Sequence, residues 1–133
     1  MNLNELLDGV GRVSAHGPLD REISALTVDS REVKEGTLFA AIRGEKVDGH
    51  DFIETARKNG ASAIMAEQDV PELFRDTWLR VPDSRKGIAE AADTYYGRPS
   101  DDLLVCGITG TNGKTTTAFL LHHLITEARG RCG

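Results

Sequence analysis

The stretch LLVCGITGTNGKTT, residues 103–116, decides the reading of this chain. An apolar run from Leu103 to Ile108 leads into a glycine-rich turn. Beyond the turn, Phe119, Leu120, Leu121, Leu124 and Ile125 recur at helical spacing. The pattern predicts a strand over Leu103–Ile108, a loop, and a helix from about Lys114 to Arg129. A phosphate-binding loop needs that order, because its glycines let successive N–H groups point at an oxyanion and the helix start adds the positive end of its dipole. Gly110, Thr111, Asn112 and Gly113 would form the cradle, and Lys114 would reach the outer phosphates. Thr115 would supply a hydroxyl to magnesium, and Thr116 a second hydroxyl near the inner phosphates. A lysine in the first turn of a helix opposes the dipole by a few tenths of a kcal/mol unless an anion is bound there. The strict pattern GxxxxGK[ST] is not met, since Ile108 stands where its first glycine belongs.

Upstream, residues 1–99 read as alternating helices and strands, so the fold class is α/β. Leu3, Leu6 and Leu7, with Asn2 or Asn4 as cap, predict a short first helix ended by Gly9 and Gly11. Ala25–Asp29 and Thr37–Ile42 read as two buried strands. Phe52, Ile53 and Ala56, capped by Asp48 or Asp51 and followed by Gly60, predict a helix over Asp48–Asn59. Ala61–Ala66 and Trp78–Val81 read as further strands, and Pro82 with Asp83 opens a helix running to Tyr95. Composition changes at Pro99, which places a boundary between 1–99 and 100–133. One strand and one helix cannot cover a parallel sheet. The second domain is therefore expected to be incomplete and the chain part of a longer protein, with the helix face at Phe119, Leu120 and Leu124 exposed.

The chain has 133 residues, 39% of them hydrophobic and 28% charged, with a net charge of −5. These values describe a globular domain and lack the basic field that a nucleic-acid or anionic-membrane binder requires. Cys106 and Cys132 form no CxxC pair and read as reduced thiols. No secretory leader or apolar span of about 20 residues is apparent, so the expected location is the cytoplasm.

Gly107, Gly110, Thr111, Gly113, Lys114 and Thr115 follow the form GxxGTxGKT, which resembles the ATP loop of the Mur ligases, where a non-glycine at position 108 is usual. Upstream, VDSR at 28–31, GTLFAA at 36–41, and Gly44 with the DGH of Asp48–His50 resemble the N-terminal domain of the same enzymes. The resemblance covers nearly the whole chain. It implies a small N-terminal domain that binds a UDP precursor, then the first strand, loop and helix of a parallel-sheet ATPase domain. Tyr96–Ser100 and Thr111 favour the branch that adds the third amino acid to UDP-N-acetylmuramoyl-L-alanyl-D-glutamate over the branch that adds D-alanyl-D-alanine. The implied UDP-contact positions are Val28, Ser30, Glu45, Lys46 and Val47, and the implied cofactors are ATP and Mg²⁺, with Thr115 on the metal. In the implied chemistry ATP phosphorylates the γ-carboxylate of D-glutamate and the amine of an amino acid attacks the acyl phosphate, with Lys114 stabilising the transferring group. No residue distinguishes diaminopimelate from lysine, and the chain alone is expected to be inactive. Competing readings are a non-catalytic UDP-sugar module, which predicts no ATP dependence, and a generic phosphate-loop NTPase, which gives residues 1–99 no reason to bind UDP.

The remaining features read as structural. His16 and His50 are expected in turns, and adjacent His122 and His123 lack the i, i+4 spacing of helical metal ligands. Cys106 reads as an apolar filler in a buried strand and Trp78 as packed at a strand edge. Ser30 could equally be a turn residue, and Asp29 with Arg31 a structural ion pair.

Overall fold

A computed structural model describes residues 1–72 and 74–129. Cys132 therefore lies outside the described residues. The chain forms two compact units, Met1–Pro99 and a second beginning at Ser100.

The first unit runs α1 (Leu3–Leu7), β1 (Ser14–His16), β2 (Ala25–Thr27), β3 (Thr37–Ala40), a 3-10 turn (Gly49–Phe52), α2 (Ile53–Lys58), β4 (Ala61–Ala66), β5 (Thr77–Arg80) and α3 (Ser84–Tyr95). The strands form one sheet in the order β1-β5-β4-β3-β2, parallel from β2 to β5, with β1 antiparallel to β5. Successive side chains of a strand face opposite ways, and the central strands use both faces for core. Leu38, Ala40, Ala63, Met65, Leu79 and Val81 pack with Leu3, Leu6 and Ala91, so α1 and α3 cover one side. Phe39, Ala41, Ile64, Ala66 and Trp78 pack with Ile53, Ala56 and Phe74, so α2 covers the other. This is a three-layer α/β unit, as the alternation of elements predicts.

Local chemistry explains the element ends. Asn2 caps α1 by accepting from Asn4 N, while Glu5 reaches back to Asn2 N, which satisfies amides the helix leaves unpaired. Asp83 Oδ1 accepts from Lys86 N at 2.9 Å and starts α3. Gly97 N on Thr94 O and Arg98 N on Asp93 O, at 3.1 and 2.7 Å, end it.

Several sequence expectations are corrected. β1 was not expected: its three residues are all exposed, so no apolar alternation marks it, and pairing with β5 alone creates it. His16 thus sits in a strand opposite Trp78 rather than in a turn. Trp78 is 2% exposed inside the sheet, not at an edge, with its Nε1 donating to Gln68 O at 3.1 Å and Phe74 edge-on at 4.9 Å. β2 lies at one edge of the sheet, opposite β1, and is only partly buried. Phe52 stands in the 3-10 turn and is exposed, whereas Ile53 and Ala56 are buried, because the tighter turn rotates Phe52 off the helical stripe.

The second unit contains α4 (Lys114–Arg129), with the expected bounds, and a 3-10 turn over Pro99–Asp102 spans the boundary between the units. The expected strand Leu103–Ile108 does not form. A strand needs a neighbour for its ladder of N–H and C=O groups, and the described residues of this unit hold no other strand. Leu103, Leu104 and Val105 are exposed, and so is Cys106, contrary to its reading as a buried filler. Phe119, Leu120 and Leu124 are exposed, as expected of an apolar helix face without its sheet.

Candidate functional site

In the first unit, an open cleft of about 500 Å³ lies beyond the carboxyl ends of β2 and β3, where ligands of parallel α/β sheets usually bind. Val28, Asp29, Ser30 and Arg31 line it from the turn after β2, Ile42 and Val47 from the segment after β3, and Gly49 and Phe52 from the 3-10 turn. Three of the five expected UDP-contact residues therefore meet: Val28, Ser30 and Val47. Glu45 and Lys46 are not in the lining; both are exposed at the tip of a hairpin closed by Gly44 N on Val47 O at 3.0 Å.

The turn carrying Ser30 is held from several directions. Thr27 Oγ1 accepts from Asp29 N at 3.1 Å, and Asp29 Oδ1 accepts from Arg31 N at 2.9 Å. Arg31 clamps the Asp29 carboxylate through Nε and Nη2, which holds that carboxyl down at about 2 from its ordinary 3.8. Asn59, at the end of α2, donates to Ser30 O at 2.9 Å. Ser30 is only 7% exposed, and its hydroxyl makes no hydrogen bond among the described residues, so it is available to a ligand in the cleft. Ion pair and turn thus serve to fix the serine. Sequence reasoning missed Ile42, Gly49 and Phe52; Phe52 carries a signal, a large apolar residue beside the DGH turn, but its spacing from Ala56 fits a helix core equally well.

In the second unit, residues 109–113 form an exposed loop before α4. Gly113 has φ +77, a left-handed conformation that lets the chain turn into the helix. Thr117 N bonds to Gly113 O at 2.9 Å, whereas the N–H groups of Lys114, Thr115 and Thr116 have no partner among the described residues. Lys114 folds back, its Nζ donating to Gly110 O at 2.7 Å. Three amides without partners among the described residues, the Lys114 ammonium and two threonine hydroxyls come from three consecutive residues here, a donor set suited to phosphate oxygens. Among the described residues no group of three or more His, Cys, Asp or Glu could hold a metal. A magnesium ion here would take one oxygen from Thr115 and the rest from phosphates and water, a division that this hard cation commonly adopts.

The sequence profile described as "Mur ligase family, catalytic domain" matches residues 22–96, more than half of the chain. The chain belongs to the Mur ligase family. A relative from Syntrophomonas wolfei, named UDP-N-acetylmuramoyl-L-alanyl-D-glutamate–2,6-diaminopimelate ligase, is 47% identical over 128 residues, which are 96% of this chain and 26% of the relative. Among solved structures, the Acinetobacter baumannii UDP-N-acetylmuramoylalanyl-D-glutamyl-2,6-diaminopimelate–D-alanyl-D-alanyl ligase superposes with a TM-score of 0.69 at 25% identity, covering 95% of this chain and 28% of that one. MurF ligase from Thermotoga maritima, solved in complex with ADP, gives a TM-score of 0.55 at 35% identity, covering 82% of this chain and 24% of that one. This Mur ligase chain thus spans about a quarter of the length of the curated relatives it matches. The family is enzymatic and uses ATP, and the expectations drawn from GITGTNGKTT and VDSR reached the right family.

Proposed function

We propose that this chain supplies the precursor-binding unit and the ATP loop of a ligase that adds the third amino acid to UDP-N-acetylmuramoyl-L-alanyl-D-glutamate in peptidoglycan precursor synthesis. The observation that carries the reading is the meeting of Val28, Ser30 and Val47 in one cleft at the carboxyl ends of β2 and β3. Diaminopimelate is the amino acid of choice, because relatives named for that ligase reach 47% identity.

In this reading residues 1–99 hold the UDP end of the precursor. Val28, Val47 and Phe52 offer apolar surface to a ring, Ser30 Oγ offers a donor to a uracil or diphosphate oxygen, and Lys46 at the hairpin tip offsets phosphate charge. Glu45 contributes through its backbone. Residues 110–116 bind the ATP phosphates: the Lys114 ammonium leaves Gly110 O for the outer phosphate, and the first amides of α4 receive its oxygens. Thr115 would hold magnesium from this chain, and the ion would supply charge neutralisation while the γ-phosphoryl group passes to the D-glutamate carboxylate. The incoming amine then displaces phosphate to form the amide. Both ATP and the water-soluble precursor fit a cytoplasmic location, and among the described residues no helix is long and apolar enough to cross a membrane.

Calorimetric titration of the chain with UDP-N-acetylmuramoyl-L-alanyl-D-glutamate, UDP and ATP tests the reading. Saturable binding of both UDP compounds is expected, weakened about tenfold or more by Ser30→Ala, since one hydrogen bond to a charged group is worth ~1.5 kcal/mol or more. Absence of UDP binding at millimolar concentration would contradict it.

A further inference from the structure

The DGH segment does more than turn the chain. Arg43 and Asp48 bridge the base of the hairpin that carries Glu45, Lys46 and Val47, and Gly49 N donates to Ile42 O at 2.9 Å just below it. The Asp48 carboxylate then binds three groups: Oδ1 accepts from His50 N at 3.0 Å and meets His50 Nδ1 at 2.6 Å, while Oδ2 accepts from Arg43 Nε at 3.3 Å. On its far side the imidazole, 4% exposed, receives Glu67 N on Nε2 at 3.4 Å, just past the end of β4. With Nε2 accepting, the ring proton sits on Nδ1 and points at Asp48. Glu67 is itself fixed, its carboxylate accepting from Ser84 N at the start of α3. The hairpin is thereby tied through one ring to two elements of the core.

We propose that His50 is a positioning residue, whose imidazole, seated between the Asp48 carboxylate and the Glu67 amide, fixes the Arg43–Asp48 hairpin so that Val47 stands in the cleft with Ser30. The inference rests on the reading of that cleft as a nucleotide site. An exposed hairpin closed by two hydrogen bonds would otherwise fray, and ligand would have to order it at a cost in affinity.

Amide hydrogen exchange and UDP calorimetry on the whole chain test this with His50→Ala and His50→Gln. In His50→Ala the Gly44 and Gly49 amides should lose protection about tenfold or more and UDP affinity should fall about tenfold, while Phe39 and Ile64 in the central strands exchange as before. His50→Gln, whose side-chain oxygen can accept from Glu67 N, should recover much of both, whereas His50→Leu, which fills similar space without an acceptor, should not. Unchanged Gly44 and Gly49 protection and unchanged affinity in His50→Ala would overturn the proposal. Should His50→Ala fail to fold, Asp48→Ala, which removes the acceptor for both His50 N and Nδ1, serves instead: the same selective loss supports the tie and its absence overturns it. If the unsubstituted chain binds no UDP, the reading of the cleft fails and the nucleotide half of the proposal with it, whereas exchange at Gly44 and Gly49 still decides whether His50 holds the hairpin.

Discussion

Two carboxylates beside the cleft, Asp29 and Asp48, are held ionised well into acid. Arg31 does this for Asp29 through side-chain and backbone hydrogen bonds, and the His50 amide and imidazole, helped by Arg43, do it for Asp48. Each sits at about 2 against an ordinary 3.8. A folded-state value below the unfolded one stabilises the protein above the unfolded value, and that contribution disappears as pH falls toward the folded value. Stability to urea should therefore decline between about pH 4 and pH 2 as these groups protonate, and Asp29→Asn with Asp48→Asn should flatten that part of the profile. A profile of the double variant identical to the parent's would show that the two ties contribute nothing. At this scale the sequence was informative about residue type but not about placement. VDSR and DGH could be named from the chain alone, and the Asp29–Arg31 pair was foreseen. The burial of His50 was not, since nothing in DGH says that the ring faces the end of β4.

The hairpin between β3 and the 3-10 turn is the element on which the site depends. Gly49 closes its base, and a Cβ there would lie 2.6 Å from Ile42 N and 2.7 Å from Ile42 O, backbone atoms that cannot yield. Gly49→Ala is expected to cost about 1–3 kcal/mol by thermal or urea unfolding and to weaken UDP binding further than the stability loss explains. An alanine variant with parental stability and affinity would mean the contact relaxes freely. Element existence was legible wherever periodicity was strong: α1, α3, α4, β3 and β4 follow their apolar spacing. β1 escaped because exposed SAH has no pattern of its own, and Leu103–Ile108 was over-read because apolar content signals a strand only when a partner strand is available. Glu45 and Lys46 share a hairpin with Val47, yet a two-residue tip points into solvent, which spacing along the chain cannot reveal.

At the scale of the molecule, the two units differ in how much apolar surface they bury. Residues 1–99 bury core on both faces of a sheet, whereas the second unit leaves Leu104 at 92%, Phe119 at 72%, Leu120 at 60% and Leu124 at 64% exposed. Apolar surface on that scale draws in partners or dye. The chain should bind a hydrophobic fluorescent dye and self-associate with rising concentration, and replacing Phe119 and Leu124 with polar residues should suppress both; a monodisperse, dye-negative parent would contradict this. On the proposed function, a UDP group binds in the cleft of Val28, Ser30 and Val47. Backbone amide chemical-shift mapping during a UDP titration locates that group on the chain. Saturable shifts are expected at residues 28–31 and 44–52, with residues 10–12 and 80–87, on the β1–β5 side of the sheet, unmoved. Shifts centred on those latter segments, or none at saturating UDP, would contradict that placement.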